Sequence, residues 1–241
     1  MANSDSRDLT QLNGCGKKSE VDELAYAEIV VIRHGETEWN ACGKIQGHLD
    51  VELNDVGKEQ AEAVANRLSK ESKLSAVYSS DLKRALVTAE RIASICGVGE
   101  VIKDKNLRER HLGDLQGTVY AAAPEVCPAA YKAFSSPRDQ EIPGGGESLQ
   151  QLYDRGTSIL QKIADKHIGE RVAVVSHGGL IRALYRRSVS TVKCGKVLNT
   201  SVNVFHITKG GSWTIKNWCD VTHLKQTEFL EAGFGGDKNS G

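Results

Sequence analysis

Two short apolar runs, both rich in β-branched residues, end abruptly at a histidine followed by a glycine. Residues 28–32 read EIVVI and lead into the Arg-His-Gly triplet 33–35, and residues 172–175 read VAVV and lead through a serine into His177. A continuous apolar run of this length predicts a strand that is buried on both faces of a sheet. The predicted strands are 28–32, 75–80, 172–175, 202–207 and 212–218, with a further extended stretch at 97–104.

Between these runs, apolar positions recur with the period of an α-helix. The stripe is clearest over residues 82–96, where apolar side chains return every three or four positions. Asn54 is a predicted N-cap, and Ser148 with Gln151 has the spacing of a capping box. The predicted helices are 54–69, 82–96, 149–163 and 179–187.

The alternation of strands and helices predicts an α/β fold, a three-layer α/β/α sandwich with a mostly parallel central sheet. We expect a single domain over residues 28–230, between a disordered N-terminal tail (1–27) and a flexible C-terminal tail (231–241). Residues 113–147 contain the chain's four prolines and a run of three glycines. This segment predicts a small irregular or helical cap insertion at the mouth of a site.

Charge and cysteine content narrow the function classes. The 31 basic and 31 acidic residues give a formal net charge of zero, so we expect neither a nucleic-acid partner nor a membrane partner. The six cysteines are scattered without a CxxC pair, which predicts reduced thiols and a cytoplasmic protein. The first 28 residues lack the apolar core of a signal peptide. We therefore expect that the glycosylation tripeptide at 199–201 is not used.

Candidate catalytic histidines and arginines lie at the ends of the predicted strands. In a parallel sheet the carboxyl ends meet at one edge, and Arg33, His34, Arg84 and His177 all follow predicted strands. Arginine forks and helix N-termini favour phosphate, beside which a histidine can serve as nucleophile, metal ligand or hydrogen-bond donor. Neither histidine lies in a metal-binding motif, and the sequence has no Walker A loop and no GxSxG elbow. We expect a phosphate site without a metal or other cofactor.

Six sequence blocks together resemble the histidine phosphatase superfamily, whose members are phosphoglycerate mutase-like proteins. The similarity covers roughly residues 28–207, and the blocks occur in the order seen in that superfamily. The blocks are VIRHGETEWN (31–40), GHLDVELNDVGKEQA (47–61), VYSSDLKRALVTAE (77–90), LRERHLGDLQG (107–117), PGGGES (143–148) and VSHGG (175–179). The resemblance implies a phosphoglycerate mutase-like fold.

The resemblance also implies roles for individual residues. His34 matches the nucleophile that takes up the phosphoryl group, and Glu109 matches the acid that protonates the leaving oxygen. Arg33, Arg84 and a protonated His177 match the rest of the phosphate pocket, where they supply positive charge without a metal. Accessory substrate contacts are expected at Asn40, Gln46, Gly47 and Gly178.

Three departures separate this chain from the true mutases of the superfamily. Mutases carry a long insertion with paired arginines for the substrate carboxylate, whereas the helix-like piece of this insertion holds a single arginine, Arg138. They favour a tyrosine where this chain has Leu112, and they read His-Gly-Asn where this chain has a second glycine, Gly179. These departures favour a phosphatase.

The interpretation is a metal-independent phosphomonoester hydrolase that cleaves a small phosphorylated metabolite through a phosphohistidine on His34. Two alternatives stay open at this point. One is a mutase that depends on 2,3-bisphosphoglycerate, and the other is a protein that binds a phosphate ligand without catalysis. The chain is expected to be a monomer or a homodimer.

Overall fold

The computed structural model describes residues 25–136, 138–189 and 194–224. Within these ranges six strands form one sheet in the order β3-β2-β4-β1-β5-β6. The strands are β1 (Tyr26–Arg33), β2 (Ala76–Ser79), β3 (Ile102–Lys103), β4 (Arg171–Ser176), β5 (Val202–Thr208) and β6 (Trp213–Asp220). The first four strands are parallel, and β5 is antiparallel to both β1 and β6. The expected mostly parallel sheet is confirmed.

Helices cover both faces of this sheet, as the continuous apolar runs predicted. The helices of the described ranges are α1 (Glu38–Ala41), α2 (Asp55–Leu68), α3 (Lys83–Cys96), α4 (Ala123–Val126), α5 (Pro128–Ser135), α6 (Leu149–Lys166) and α7 (Gly178–Ser188). On β1, Ile29 and Val31 pack with α6 and α7, while Val30 and Ile32 pack with α2 and α3. None of these helices is both long and apolar enough to cross a membrane.

Capping side chains determine where helices α2 and α6 begin. Asn54 accepts a hydrogen bond from the Gly57 N–H and caps α2, and Ser148 and Gln151 form both bonds of the capping box that opens α6. Asp139 adds to this helix start because its carboxylate accepts from the Leu149 N–H at 2.7 Å. Both predicted caps are confirmed.

The predicted cap, residues 113–147, contains short helices and contributes most of a small apolar cluster. The cluster consists of Ile45, Leu112, Leu115, Ala123, Ala130 and Ile142, with Tyr120, Cys127, Tyr131 and Phe134 packed against it. Gly113, Gly144 and Gly145 adopt positive φ, which turns the chain where the cap meets the sheet domain.

The bounds of two strands differ from those that the sequence predicts. The predicted stretch 97–104 forms only the two-residue strand β3, because residues 97–101 form the left-handed end of α3 and a loop. Strand β1 begins at Tyr26, before the predicted start, since Tyr26 and Ala27 pair with β5. The predicted tails lie almost entirely outside the described residues and stay predictions.

Candidate active site

His34 lies directly after β1, at the carboxyl edge of the sheet. Its Nδ1 is 2.6 Å from the Gly35 carbonyl oxygen; an oxygen of this kind only accepts, so Nδ1 carries the proton. Burial is the largest cause that lowers the pKa of His34 well below the usual imidazole range, followed by the charges of Arg84 and Arg33. The ring is therefore neutral, and its Nε2 has a lone pair available for attack.

His177 lies at the carboxyl end of the neighbouring strand β4, and its ring centroid is 5.1 Å from that of His34. The side chain is fully buried, and neither ring nitrogen makes a hydrogen bond to the described residues. Burial and then Arg84 lower the pKa of His177, so it is neutral in this state. A buried imidazole without protein partners indicates a polar ligand at this position.

Two buried arginines border the histidines. Arg33 donates from Nη1 to the Val197 carbonyl at 2.7 Å. Arg84, in the first turn of α3, donates to the carbonyls of Gly47 at 2.8 Å and Leu49 at 2.9 Å. Burial lowers the pKa of Arg84 to about 10, so the group remains charged at neutral pH. Backbone carbonyls orient the Arg84 guanidinium without cancelling its charge, and two buried cations beside the histidines favour an anion at this position.

Glu109 lies beside the N-terminus of α7 and is 3% exposed. Its Oε2 accepts from the Gly179 N–H at 3.0 Å, and its Oε1 accepts from the N–H groups of Leu180 at 3.2 Å and Arg110 at 2.8 Å. Since α7 begins directly after His177, these bonds hold the carboxylate next to the second imidazole. The Glu109 carboxylate thus lies at the edge of the region that the two arginines and the two histidines form.

The predicted accessory residues also face this region. The Oδ1 of Asn40 accepts from the Thr37 hydroxyl at 3.1 Å. Its buried Nδ2, like the buried Oε1 of Gln46, makes no hydrogen bond within the described part of the chain. Gly47 has a φ of +52° and presents its carbonyl to Arg84, while a side chain there would overlap Gln116. Gly178 is the first residue of α7.

Gly35 lies at a close contact between the loop after β1 and two helices. A Cβ atom at this position would overlap the Gly57 carbonyl in the first turn of α2. The Gly35 N–H donates to the Thr88 hydroxyl on α3 at 3.1 Å. The glycine therefore lets the loop after β1 approach both helices of one face, and this contact positions His34.

Two buried polar residues close to His34 in the chain or in space were missed. Glu36 is 2% exposed, accepts from the Asn54 side chain at 2.8 Å, and has its pKa raised by burial. Asn199 is also 2% exposed and donates from Nδ2 to the His34 carbonyl at 3.0 Å. Adjacency to His34 was the only sequence signal for Glu36, and Asn199 had none because it comes from a distant loop.

A second missed group holds the segment that carries Glu109. Arg155 on α6 makes a two-point ion pair with Glu147, with both N···O distances at 2.8 Å. The same guanidinium donates to the carbonyls of Asn106, Arg108 and Glu109 at 2.8–3.1 Å. The PGGGES block, which includes Glu147, was the available signal.

Among the described residues, no group of three or more His, Cys, Asp or Glu side chains is arranged to hold a metal ion. The fold and site together define a three-layer α/β protein with a histidine-centred anion site at the carboxyl edge of its sheet. The sequence model of the histidine phosphatase superfamily (branch 1) matches residues 29–221, and the chain belongs to this superfamily.

Two relatives come from Arabidopsis thaliana. Phosphoglycerate mutase-like protein 4 is 64% identical over 222 residues, which covers 91% of this chain and 96% of that protein. The metal-independent phosphoserine phosphatase is 53% identical over 216 residues, covering 89% and 90%. Among solved structures, phosphoserine phosphatase from Entamoeba histolytica in complex with 3-phosphoglyceric acid has a TM-score of 0.70 and 28% identity, over 82% of this chain and 99% of that one.

Proposed function

We propose that this protein is a metal-independent phosphomonoester hydrolase that acts on a small phosphorylated metabolite through a phosphohistidine on His34. The observation that carries the proposal is the state of His34: Nδ1 is bound to the Gly35 carbonyl, the ring lies 5.1 Å from that of His177, and Arg84 and Arg33 are close enough to lower its pKa. The relatives named as phosphatases support the hydrolase.

In the first step His34 Nε2 attacks phosphorus and the bond to the ester oxygen breaks. Arg33 and Arg84 stabilise the charge on the equatorial oxygens, since both side chains are buried and their guanidinium groups are bound to backbone carbonyls. Burial, followed by the charge of Arg84, lowers the pKa of His177; a bound phosphate dianion acts in the opposite direction, and a protonated His177 then donates to the same oxygens. Asn40, Gln46, Gly47 and Gly178 complete the contacts around the phosphate.

Glu109 acts as acid and then as base. It gives a proton to the ester oxygen as the alcohol leaves, and the resulting carboxylate takes a proton from the water that attacks phospho-His34. The products are the free alcohol, inorganic phosphate and unmodified His34. The amides of α7 support both steps because they hold the carboxyl group beside His177 throughout.

Features of the cap support hydrolysis over isomerisation. Its only two basic residues, Lys132 and Arg138, are exposed, so the paired carboxylate-binding arginines expected of a mutase have no equivalent there. The mutase alternative is supported by relatives that are named as phosphoglycerate mutases or mutase-like proteins, among them the 64% identical one. A mutase and a phosphatase differ in the fate of the phosphoryl group, and this difference can be measured.

The test is phosphate release from a panel of phosphorylated metabolites in excess EDTA. His34→Ala should abolish release, whereas His206→Gln, a substitution on β5, should retain it. Rapid acid-free quenching with labelled substrate should trap label on His34. Isomerisation of 3-phosphoglycerate with 2,3-bisphosphoglycerate and no phosphate release would favour the mutase, and phosphate binding without any turnover would favour a binding protein.

The remaining proposals concern the protein's surroundings. We propose a cytoplasmic enzyme, supported by the free thiols of the five described cysteines. We propose no nucleic-acid or membrane partner, since the net charge is zero. We propose a single domain over residues 28–230 that carries one site. We propose that the protein is a monomer or a homodimer.

A further inference from the structure

Thr200 lies in the left-handed region of backbone conformation, which β-branched residues rarely adopt. Its φ is +53°, and the residue is completely buried. A threonine in this region is strained and persists only where its surroundings hold it there. The contacts of Thr200 must therefore stabilise a conformation that the residue itself disfavours.

The conformation of Thr200 brings residues 199–200, the support turn, against the backbone of the proposed nucleophile. The Thr200 N–H donates to the Arg33 carbonyl at 3.0 Å and to the His34 carbonyl at 3.4 Å. The Asn199 side chain donates to the same His34 carbonyl at 3.0 Å. The support turn thus binds the chain at the point where β1 ends and the site begins.

The hydroxyl group of Thr200 is fixed on two sides. It donates to the Asn199 carbonyl at 2.8 Å, and its oxygen lies 3.2 Å from Nε2 of His223. Because the carbonyl takes the single hydroxyl proton, the oxygen accepts from His223, and Nε2 of that ring carries a proton. His223 therefore donates a hydrogen bond to the strained residue.

Arg67 selects the same tautomer of His223 from the other side of the ring. Its Nη1 lies 3.4 Å from Nδ1 of His223, and a guanidinium only donates, so Nδ1 accepts. Arg67 is itself paired with Asp220 at 2.7 Å and with Glu71 at 2.9 Å. Burial, followed by Arg67, lowers the pKa of His223 to about 4, so the ring is neutral at pH 7. The hydrogen bonds therefore run in one direction, from Arg67 through His223 to Thr200.

We infer that His223 is a positioning residue for His34: it holds Thr200 in the left-handed conformation, and the support turn then fixes the backbone of the nucleophile. This inference rests on the proposed function, because it assigns to His34 the attack on phosphorus. Arg84 is held by the carbonyls of a separate loop, residues 47–49. Loss of the His223 bond should therefore slow the attack more than it weakens phosphate binding.

Two substitutions of His223 separate its two hydrogen bonds. The amide nitrogen of glutamine can take the place of Nε2, whereas that of asparagine can only take the place of Nδ1. His223→Gln should therefore phosphorylate His34 from p-nitrophenyl phosphate, in a single turnover, at a rate within about twofold of native. In His223→Asn this rate should fall about 3- to 10-fold, the loss of one hydrogen bond. The inhibition constant of inorganic phosphate should change less than about twofold in both variants.

A spectroscopic readout reports the coupling without turnover. Long-range ¹H–¹⁵N spectra should show His223 protonated at Nε2, and the Nδ1 signal of His34 should shift in His223→Asn but not in His223→Gln. His206→Asn is the matched control, since His206 is also half-buried and contacts Glu28 near the other end of β1. It should change neither the His34 signal nor the rate. An Nδ1-protonated His223, or an unshifted His34 signal in His223→Asn, would overturn the inference.

A double-mutant cycle tests whether His223 acts through Thr200. Thr200→Gly keeps the left-handed conformation without support, because glycine adopts it freely. In that background His223→Asn should slow phosphorylation of His34 by less than about twofold. An equal loss in both backgrounds, or lower thermal stability with an unchanged rate, would overturn the inference, because His223 would then act on the fold in general.

Two results keep the inference separate from the proposed function. If the native protein shows no His34-dependent turnover of p-nitrophenyl phosphate, the proposed function fails, and the His34 signal still decides whether His223 positions that ring. If turnover is present and His223→Asn keeps the native rate, only the role of His223 fails. Should His223→Asn not fold, as judged by thermal unfolding, Thr200→Val replaces it, because valine keeps the branched shape and lacks the hydroxyl. It should slow phosphorylation to the same extent, and a native rate in this variant would overturn the inference.

Discussion

Arg155 donates a hydrogen bond from Nη2 to the backbone carbonyl of Glu109 at 3.1 Å. The two residues are 46 positions apart in sequence, and the bond joins helix α6 to the segment that carries the proposed acid. Glu147 fixes the guanidinium from the other side and also accepts from the His111 N–H at 2.8 Å. The segment of the acid is thus held by a long-range hydrogen bond from an ion-paired arginine, while the start of α7 holds the carboxylate itself.

Replacing Arg155 by methionine should displace Glu109 and slow protonation of the leaving oxygen. We expect kcat to fall by roughly tenfold or more with little change in KM, since a misplaced acid affects the transition state more than substrate binding. Alkyl esters should lose more activity than p-nitrophenyl phosphate, whose leaving group needs little protonation. Steady-state kinetics on both esters gives the answer.

Arg91→Met serves as the control for that variant, because Arg91 is exposed and pairs with Glu62 away from the site. It should leave both esters unaffected. Equal losses on the two esters in Arg155→Met would mean that the substitution acts on the fold in general, and that Arg155 has no particular relation to Glu109.

Gly35→Ala should destabilise the protein. The new Cβ would overlap the Gly57 carbonyl, and overpacking of this kind typically costs about 1–3 kcal/mol. The loop would have to move away from α2, taking His34 with it, so activity should fall as well. Urea unfolding and phosphatase assays measure the two effects. Gly99→Ala, where a Cβ would meet no atom within 4 Å, should change neither; similar values for the two variants would contradict the packing argument.

The imidazole of His34 should stay neutral through the usual range of histidine titration. Burial, Arg84 and Arg33 all lower its pKa, so protonation should begin well below pH ~6.5. Long-range ¹H–¹⁵N spectra of histidine-labelled protein should show the Nδ1-protonated tautomer at pH 6.5, with His34→Ala used to assign the signals. A midpoint at or above the ordinary value would mean that the arginines and burial do not act as described.

Stability should fall as the pH drops from about 6.5 towards 4. Burial, followed by Arg67, lowers the pKa of His223 to about 4, whereas the unfolded chain takes up this proton near pH ~6.5. The unfolded state therefore binds more protons in this window, and the free energy of unfolding falls by up to about 1.4 kcal/mol per pH unit for such a group. His34 and His177 act in the same direction.

Urea unfolding at pH 7 and pH 5 tests this linkage. His223→Gln should lose less stability between the two values than the native chain, because one of the contributing histidines is gone. An identical loss in both proteins would show that His223 is protonated alike in the folded and unfolded states.

The sheet and most helices follow from local pattern. The run at β1 is apolar at consecutive positions because Val30 and Val31 face different layers, and Ser148 signals its helix through a box of four residues. His34 and His177 were identified because both stand at strand ends. The contacts of Arg155 with Glu109 and of Asn199 with His34 join segments that are far apart in the sequence. The hydrophobic periodicity of the sequence cannot predict contacts of this kind.

The cap was the least predictable part for a physical reason. Its helices α4 and α5 are short and carry few turns of periodicity, and its cluster depends on Ile45 from outside the segment. Arg110, which is 2% exposed and lies beside the Phe134 ring of α5, gave no sign of burial, since charged residues in a basic-acidic run are usually solvated. Its environment is created only when the cap packs over the segment beside Glu109.

The buried position of Asn199 has a consequence for how the protein can be made. Asn199-Thr200-Ser201 is an acceptor sequence for N-glycosylation, and the sugar would join the same Nδ2 atom that donates to the His34 carbonyl. In a secretory host the transfer occurs on the chain before it folds, and an attached oligosaccharide has no room in this site. Production in the cytosol of the host leaves Asn199 unmodified. Export through a glycosylating compartment would attach a sugar to Asn199 and prevent the chain from folding.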